Sequence, residues 1–255
     1  MWQGRVRDRE RPFTATLASC GVSGYAARVW RTLVDWLLPP RCGACGALGA
    51  WLCDRCRSRV RLLREPLCGR CGRELTFVAQ PCNCRVRLRS LRHLRAAAAY
   101  EGPLERALQR FKYSGWSGLA PLLAGLLCER LSLDADPPSG FLLAVPLHRR
   151  RQRARGYNQA ELIAGRLRSH FSSPRPPGRL VRIRDTPSQI GLDRVQRREN
   201  VAAAFAWQGP PLDGCRLAVV DDVATTGATL EACAVPLMAA GAGVVVGLTV
   251  ARAQG

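Results

Sequence analysis

The sequence predicts an α/β protein with a doubly wound, mostly parallel sheet and a small cysteine-rich domain before it. Strand-like and helix-like segments alternate from about residue 91 onward, and the strand-like segments are continuously apolar, as in a sheet covered on both faces. Eight cysteines lie in close pairs between Cys42 and Cys84. We therefore expect a poorly ordered extension over 1–28, an amphipathic helix with the cysteine-rich domain over 29–90, and the α/β domain over 91–255.

Local signals place the individual elements. Apolar residues at helical spacing indicate the helices, Pro103 suits a first helical turn, and Pro39 and Pro40 end the first helix. The predicted elements are, in chain order, a helix at 28–40, a strand to Tyr100, a helix from Pro103, a helix at 119–131, a strand at 141–146, a helix from Asn158, a strand at 180–183, an irregular basic segment at 184–200, a strand at 217–220, a helix at 226–240 and a strand at 244–250.

The chain is strongly basic. It has 39 Lys plus Arg against 19 Asp plus Glu, a formal net charge of +20, and a single lysine, Lys112. This balance suits anionic partners such as nucleic acid or phosphorylated metabolites, although an arginine bias also arises from gene composition. Because no run approaches the ~18 apolar residues of a membrane helix, we expect no membrane span and a cytoplasmic location. Secretion is the alternative, since "LASC" ending at Cys20 resembles a lipoprotein cleavage site, but the apolar run before it is short and polar.

The cysteine spacing is typical of zinc sites. "CGACGALGAWLCDRC" reads C-x2-C-x7-C-x2-C, and "CGRCGRELTFVAQPCNC" reads C-x2-C-x10-C-x-C. Two such turns complete a four-thiolate tetrahedron, which leaves no open position and indicates a structural role for two Zn2+ ions. Iron–sulfur clusters and redox dithiols are the alternatives. Sequential and interleaved pairings both satisfy the spacing. The predicted ligands are Cys42, Cys45, Cys53, Cys56, Cys68, Cys71, Cys82 and Cys84.

An acidic pair and a loop of small and hydroxylated residues stand near the chain's end. Asp221 and Asp222 follow an apolar strand, and "ATTGAT" at 224–229, here called the hydroxyl loop, precedes a helix. Ligands of open parallel sheets bind beyond the carboxyl ends of the strands, where free helix amides favour phosphate. Two carboxylates there suit a sugar diol or a Mg2+ ion on it, so we expect a ribose phosphate. A simple helix N-cap cluster is the alternative.

"VVDDVATTGATL" resembles the phosphoribosyl diphosphate (PRPP) signature of type I phosphoribosyltransferases. The rest of the chain, from about residue 33 to 252, is similar to the ComF family, which is known for handling incoming DNA in natural transformation. The segments that carry this resemblance are "LLPPRCGACG", "YEGPLERALQRFKYSG", "VPLHRRRQRARGYNQAELIA" and "RDTPSQIGLDRVQRRENVAAAF". It implies a phosphoribosyltransferase-like α/β domain with an N-terminal double zinc ribbon.

The resemblance also implies roles for particular residues. Asp221 and Asp222 would contact the ribose hydroxyls, directly or through Mg2+, and Arg149 and Arg150 the diphosphate. The residues implied for the 5-phosphate are Ala224, Thr225, Thr226, Gly227, Ala228 and Thr229. Further polar positions that match the family are Lys112, Arg155, Gly156, Tyr157, Asn158, Gln159, Thr186, Gln189, Arg194, Arg198 and Asn200. Two of these have a plain structural alternative, Asn158 as a helix cap and Lys112 as a solvated helix end.

Three functions are compatible with this pattern. The first is transfer of a phosphoribosyl group to an acceptor that the sequence does not identify. The second is a non-catalytic PRPP sensor that binds single-stranded DNA and works with DNA-uptake proteins; its stacking aromatics would be Trp51, Phe77, Tyr113, Trp116 and Tyr157. The third is a PRPP-responsive regulator, which lacks a recognisable DNA-reading helix module.

Overall fold

The structure is a computed structural model that describes residues 39–78, 80–86, 88–134, 138–184 and 203–253. The chain from Pro40 onward forms one compact unit. Three sequence predictions lie outside the described residues: the extension at 1–28, the helix at 28–40, and the basic segment beyond Arg184, including Thr186, Gln189, Arg194, Arg198 and Asn200.

Helices and strands alternate along the described chain after a cysteine-rich beginning. The elements are α1 Asp54–Arg57, β1 Leu94–Ala99, α2 Gly102–Tyr113, α3 Ala120–Ser132, β2 Phe141–Ala144, α4 Arg149–Arg155, α5 Gln159–His170, β3 Arg179–Arg182, β4 Phe205–Gln208, β5 Arg216–Ala224, α6 Ala228–Ala239 and β6 Val244–Arg252. Short 3-10 turns occupy Asn83–Val86 and Ser117–Leu119.

The central sheet has four strands in the order β1-β6-β5-β2, and all three pairings are parallel. This confirms the predicted α/β class with its parallel sheet. The predicted bounds of one strand were wrong: β5 runs to Ala224 rather than to Val220, because it stays paired with β6 through the acidic pair and beyond. The helix that follows starts correspondingly later, at Ala228 rather than Thr226.

Side chains of β5 alternate between two hydrophobic cores. Ala218 and Val220 face one core with helices α2, α3 and α5. Leu217 and Val219 face the other core with α6. Strands β3 and β4 pair antiparallel as a separate ribbon that packs on the α6 side, so the strand predicted at 180–183 exists but lies outside the parallel sheet.

The cysteine-rich segment divides between these two cores. Cys42 and Cys56 are buried in the core of the α3 face, whereas Cys68 and Cys71 are buried in the core of the α6 face. The chain between them runs antiparallel to the edge strand β1, where Leu63 N–H donates to Ala97 at 3.1 Å. The cysteine-rich segment thus covers a sheet edge as well as both faces.

In the part of the chain that the structure describes, no helix has both the length and the apolar character needed to cross a membrane.

Candidate functional site

The acidic pair lies near the carboxyl end of β5, at the edge where a parallel sheet binds its ligands. Successive residues of a strand point to opposite faces, so the two carboxylates diverge. Asp222 is 4% exposed, and its Oδ1 forms an ion pair with Lys112 Nζ at 3.0 Å. Its Oδ2 is buried and has no hydrogen-bond partner among the described residues. One acceptor atom of the pair is therefore unsatisfied inside the site.

Asp221 turns toward the α6 side of the strand. Its Oδ1 accepts the backbone N–H of Asp222 at 2.9 Å. Burial raises the pKa of Asp221, and the charge of Asp222 raises it further, to about 7. The site thus holds a carboxyl group that gains or loses a proton near neutral pH.

Lys112 comes from the last turn of α2 and links this helix to the acidic pair. Burial by itself would lower the pKa of Lys112, but the carboxylates of Asp222 and Asp221 raise it above its ordinary value. The lysine is therefore held charged at the site rather than solvated at a helix end, so the structure places it with the acidic pair.

The "RGYNQ" segment, residues 155–159, holds the end of α2 by hydrogen bonds. Tyr157 OH donates to the carbonyl of Phe111, and Gln159 Nε2 donates to the carbonyls of Phe111 and Lys112 at 3.3 and 3.4 Å. These bonds satisfy carbonyl groups at the helix end that have no partner within the helix. The segment thereby fixes the backbone from which Lys112 reaches the acidic pair.

Asn158 acts as the N-cap of α5. Its side-chain oxygen accepts the N–H of Ala160 at 3.1 Å, and its Nδ2 donates to Val145 at 3.0 Å. The capping alternative is therefore correct, and Asn158 also lines the cleft described below.

The hydroxyl loop turns sharply from β5 into α6. Gly227, the residue before the helix, has φ of 85°, a left-handed conformation that favours glycine. Thr226 Oγ1 accepts the N–H of Ala228 at 3.2 Å. A fully buried leucine, Leu88, lies 3.0 Å from where a Cβ on Gly227 would stand, so the loop is packed from behind as well as bent.

These elements enclose a cleft of about 640 Å³. Its lining includes most of the residues that the sequence singled out. They are Lys112, Arg155, Asn158, Gln159, Asp221, Asp222, Ala224, Thr225, Thr226, Gly227, Ala228 and Thr229. Tyr157 does not line it, since its hydroxyl faces α2.

Arg149 and Arg150 do not line this cleft. Residues 149–155, for which the sequence predicted no helix or strand, form helix α4, and its residues at i and i+4, Arg151 and Arg155, share the face that lines the cleft. Arg149 lines a neighbouring cleft with Arg179 and Arg182, and Arg150 is exposed.

Four polar residues of the lining were not predicted from the sequence: Tyr100, Gln109, Arg151 and Arg182. Local sequence signals could have identified two of them. Tyr100 follows a strand, where ligand-binding residues are common, and Gln109 stands three residues before Lys112 on one helix face. Nothing in the local sequence indicates that Arg182 reaches the same cleft.

The eight cysteines form two clusters with sequential pairing. The first thiolate cluster is Cys42, Cys45, Cys53 and Cys56; the second is Cys68, Cys71, Cys82 and Cys84. Sulfur–sulfur distances are 3.7 Å in the first cluster and 3.6 and 3.7 Å in the second. A tetrahedron with Zn–S bonds of about 2.3 Å has edges of about 3.8 Å, so each cluster fits Zn2+.

Backbone amides prepare one thiolate in each cluster. Burial raises the pKa of Cys42, but hydrogen bonds from the backbone of Cys45, Cys53 and Ala44 lower it overall to about 6. Burial likewise raises the pKa of Cys68, and backbone hydrogen bonds lower it to about 7. Because the thiolate is the form that binds metal, both clusters begin with a cysteine already disposed to coordinate.

Comparisons with known proteins agree with this arrangement. Residues 33–85 match a family model described as a double zinc ribbon domain. The chain is 35% identical over 140 residues to Competence protein F of Haemophilus influenzae, covering 52% of this chain and 60% of that one. It is 32% identical over 151 residues to DNA utilization protein YhgH of Salmonella typhi, covering 57% and 66%. It is 26% identical over 141 residues to Competence protein ComFC of Bacillus subtilis, covering 55% and 56%.

These matches, with the two thiolate clusters and the parallel sheet, define an α/β protein with a double zinc ribbon. The chain spans less than two thirds of the length of the relatives it matches. The similarity to these competence and DNA utilization proteins supports a ComF-family protein with an N-terminal double zinc ribbon.

Proposed function

We propose that the cleft binds PRPP together with Mg2+. The hydroxyl loop would hold the 5-phosphate with its amides and hydroxyls. The acidic pair would address the ribose hydroxyls, and Arg151 and Arg155 the diphosphate. One observation carries the proposal: the cleft brings a carboxylate pair, a hydroxyl-rich helix start and two arginines together at the carboxyl edge of a parallel sheet. Each group suits a different part of one phosphorylated ribose.

The donor set fits a hard divalent ion. Mg2+ binds in proteins through one or two carboxylates together with phosphate oxygens. Asp221 and Asp222 would hold it, and the buried Oδ2 of Asp222 lacks a partner among the described residues. When bound, the ion would neutralise negative charge on the diphosphate.

Lys112 has a separate task in this proposal. With Nζ 3.0 Å from Asp222 Oδ1, it fixes the rotamer of that carboxylate. Arg155 is positioned by the chain as well, since its Nη1 donates to Gln159 Oε1 at 2.6 Å. Both side chains are thus oriented before a ligand arrives.

We further propose that the protein handles internalised single-stranded DNA during DNA uptake, together with DNA-uptake proteins in the cytoplasm. The names of two relatives refer to competence and to DNA utilization, and the net charge of +20 suits a phosphate backbone. Tyr113 is 64% exposed at the rim of the cleft, and the Arg155 guanidinium lies 5.3 Å from its ring. An exposed ring under a guanidinium is the kind of platform on which bases stack.

Two outcomes of PRPP binding are consistent with this cleft. In the first, the bond between the ribose and the diphosphate breaks, an acceptor takes the phosphoribosyl group, and diphosphate leaves with the bonding electron pair. In the second, bound PRPP only reports its own concentration to a DNA-binding surface or to a regulated partner. An assay for PRPP-dependent diphosphate release with an acceptor screen separates these outcomes.

The binding itself is tested by calorimetric titration of the full chain with PRPP and Mg2+. The variant Asp221→Asn/Asp222→Asn should lose the heat of binding. Asp213→Asn is the matched control, because Asp213 is exposed in the turn before β5, at the opposite end of that strand. Wild-type affinity in the double variant would refute the site. Single-strand binding is tested by fluorescence anisotropy; an affinity that does not fall as salt rises would refute the DNA proposal.

A further inference from the structure

A buried arginine connects the second thiolate cluster to the hydroxyl loop. Arg252, the last residue of β6, is 4% exposed. Its Nε donates to the carbonyl oxygen of Cys71 at 3.0 Å, and its Nη1 donates to the carbonyls of Ala224 at 3.4 Å and of Thr225. One guanidinium thus holds a cluster cysteine and the first two residues of the loop together.

A carboxylate makes a second connection between the same two regions. Glu231, in the first turn of α6, accepts three consecutive backbone N–H groups from the chain that leaves the second cluster. These groups belong to Arg89, Ser90 and Leu91, at 2.9, 2.7 and 3.1 Å. A carboxylate that accepts hydrogen bonds from three consecutive amides makes a strong, charge-assisted connection.

Packing completes the connection. Leu88 lies directly behind Gly227 of the hydroxyl loop, and its carbonyl oxygen accepts a hydrogen bond from Arg70 Nε at 2.9 Å. Arg70 stands between Cys68 and Cys71, so the residue that supports the loop is itself held by the second cluster.

The first thiolate cluster is attached differently. Arg110 Nη1 donates to the carbonyl oxygen of Cys42 at 2.9 Å, and Arg106 Nε donates to Ala44 at 3.2 Å. Both arginines belong to α2. Each cluster therefore has a cysteine carbonyl bound by an arginine, but that arginine reaches the hydroxyl loop only in the second cluster.

We propose that Arg252 is a positioning residue which couples the second zinc site to the hydroxyl loop. The intact site holds the carbonyl of Cys71, Cys71 holds the guanidinium, and the guanidinium holds the loop in its phosphate-binding shape. Loss of the site removes an acceptor from a buried cation and releases the loop carbonyls. The coupling stands on the contacts alone; its consequence for PRPP rests on the function proposed above.

The test compares Arg252→Lys with Arg110→Lys in the full zinc-loaded chain. Each variant shortens an arginine that binds a cluster cysteine carbonyl, so the two are matched. Amide hydrogen exchange in residues 224–229 reports the loop directly, without a ligand. Zinc content shows whether the clusters remain filled. Binding of ribose 5-phosphate and of inorganic diphosphate, each by calorimetry, shows which end of the cleft is affected.

In Arg252→Lys we expect loop exchange about tenfold faster and ribose 5-phosphate binding about tenfold weaker, as for partners that support a site from behind. Diphosphate binding, on the arginine side, should stay unchanged. Arg110→Lys should alter neither. Unchanged loop exchange in Arg252→Lys, or an equal increase in Arg110→Lys, would overturn the coupling.

Two further arms keep the test decisive. If Arg252→Lys does not fold, Glu231→Gln weakens the second connection, and the same local increase in exchange is expected; its absence would refute the coupling. If the wild-type chain binds neither ribose 5-phosphate nor PRPP, the proposed function fails, while hydrogen exchange still decides the coupling.

Discussion

The two thiolate clusters have the same ligands but support different parts of the molecule. The first is buried against α2 and the core that contains α3 and α5. The second is buried against the core that contains α6, behind the hydroxyl loop. Helix α2 supplies Lys112 to the cleft, and α6 supplies the loop, so each cluster stands behind one wall of the same site. A structural metal site can thus matter for ligand binding without touching the ligand.

The largest effect should come from removing one ligand of each cluster. Cys42 is 0% exposed and Cys71 is 2% exposed, so Cys42→Ser and Cys71→Ser are a matched pair. Each should cost one equivalent of zinc and several kcal/mol of stability, because zinc binding in such sites is coupled to folding. Metal analysis and thermal unfolding measure both.

The two variants should differ in ligand binding. In protein kept well below its melting temperature, Cys71→Ser should lose ribose 5-phosphate binding, whereas Cys42→Ser should retain most of it. Equal losses in both variants would show that the two clusters are equivalent.

A smaller effect is expected on the α2 side. Lys112→Met leaves the buried carboxylate of Asp222 without its cation, which should lower the free energy of unfolding by about 3 kcal/mol. The double variant Lys112→Met/Asp222→Asn should recover most of this loss. Urea unfolding measures it, and Arg166→Met, at an exposed position of α5, is the control with a change below about 0.5 kcal/mol. A Lys112→Met loss as small as the control's would mean that the ion pair does not hold α2 to β5.

The pH dependence of stability tests the environment of Asp221, which lies in β5 between the two sides of the cleft. Because the pKa of Asp221 is raised to about 7, the folded chain binds a proton between about pH 4 and pH 7 that the unfolded chain releases. The stability of the wild type should therefore fall as pH rises through this range. Asp221→Asn cannot ionise and should lack this decline, which leaves it more stable than the wild type at pH 8. Chemical unfolding of magnesium-free, zinc-loaded protein measures the difference, and parallel pH curves would contradict it.

The smallest effect concerns packing behind the loop. Gly227 and Gly214 both have a left-handed backbone, with φ of 85° and 75°, but Leu88 lies 3.0 Å from a Cβ at Gly227, and nothing lies within 4 Å of one at Gly214. Gly214→Ala should cost about 1 kcal/mol from conformation alone, and Gly227→Ala about 1 kcal/mol more from packing. Equal costs in thermal unfolding would show that Leu88 yields without resistance.

Much of this site could be predicted because its signals are local. The spacing of Cys68, Cys71, Cys82 and Cys84 follows from the chemistry of one ion, and the step from an apolar strand into acids and hydroxyls identifies one turn. The helix start at Asn158 was predicted for the same reason, since a cap is decided by residues a few positions apart.

Other features depend on distant parts of the chain. The family resemblance implied Arg149 and Arg150 for the diphosphate, but only the rotation of α4 decides that Arg151 and Arg155 face the cleft. The extension of β5 through Asp222 likewise depends on β6, with which it pairs.

The sequence by itself determined the α/β class, the zinc ligands and the acidic pair with its loop, because each is a pattern of residues that lie close together along the chain. Tertiary structure decided the sequential cysteine pairing, the bond between Lys112 and Asp222, and the burial of Arg252 between Cys71 and Thr225. The physical reason is range: Arg252 stands 181 residues from Cys71 in sequence, and only the packed sheet brings the two within 3.0 Å.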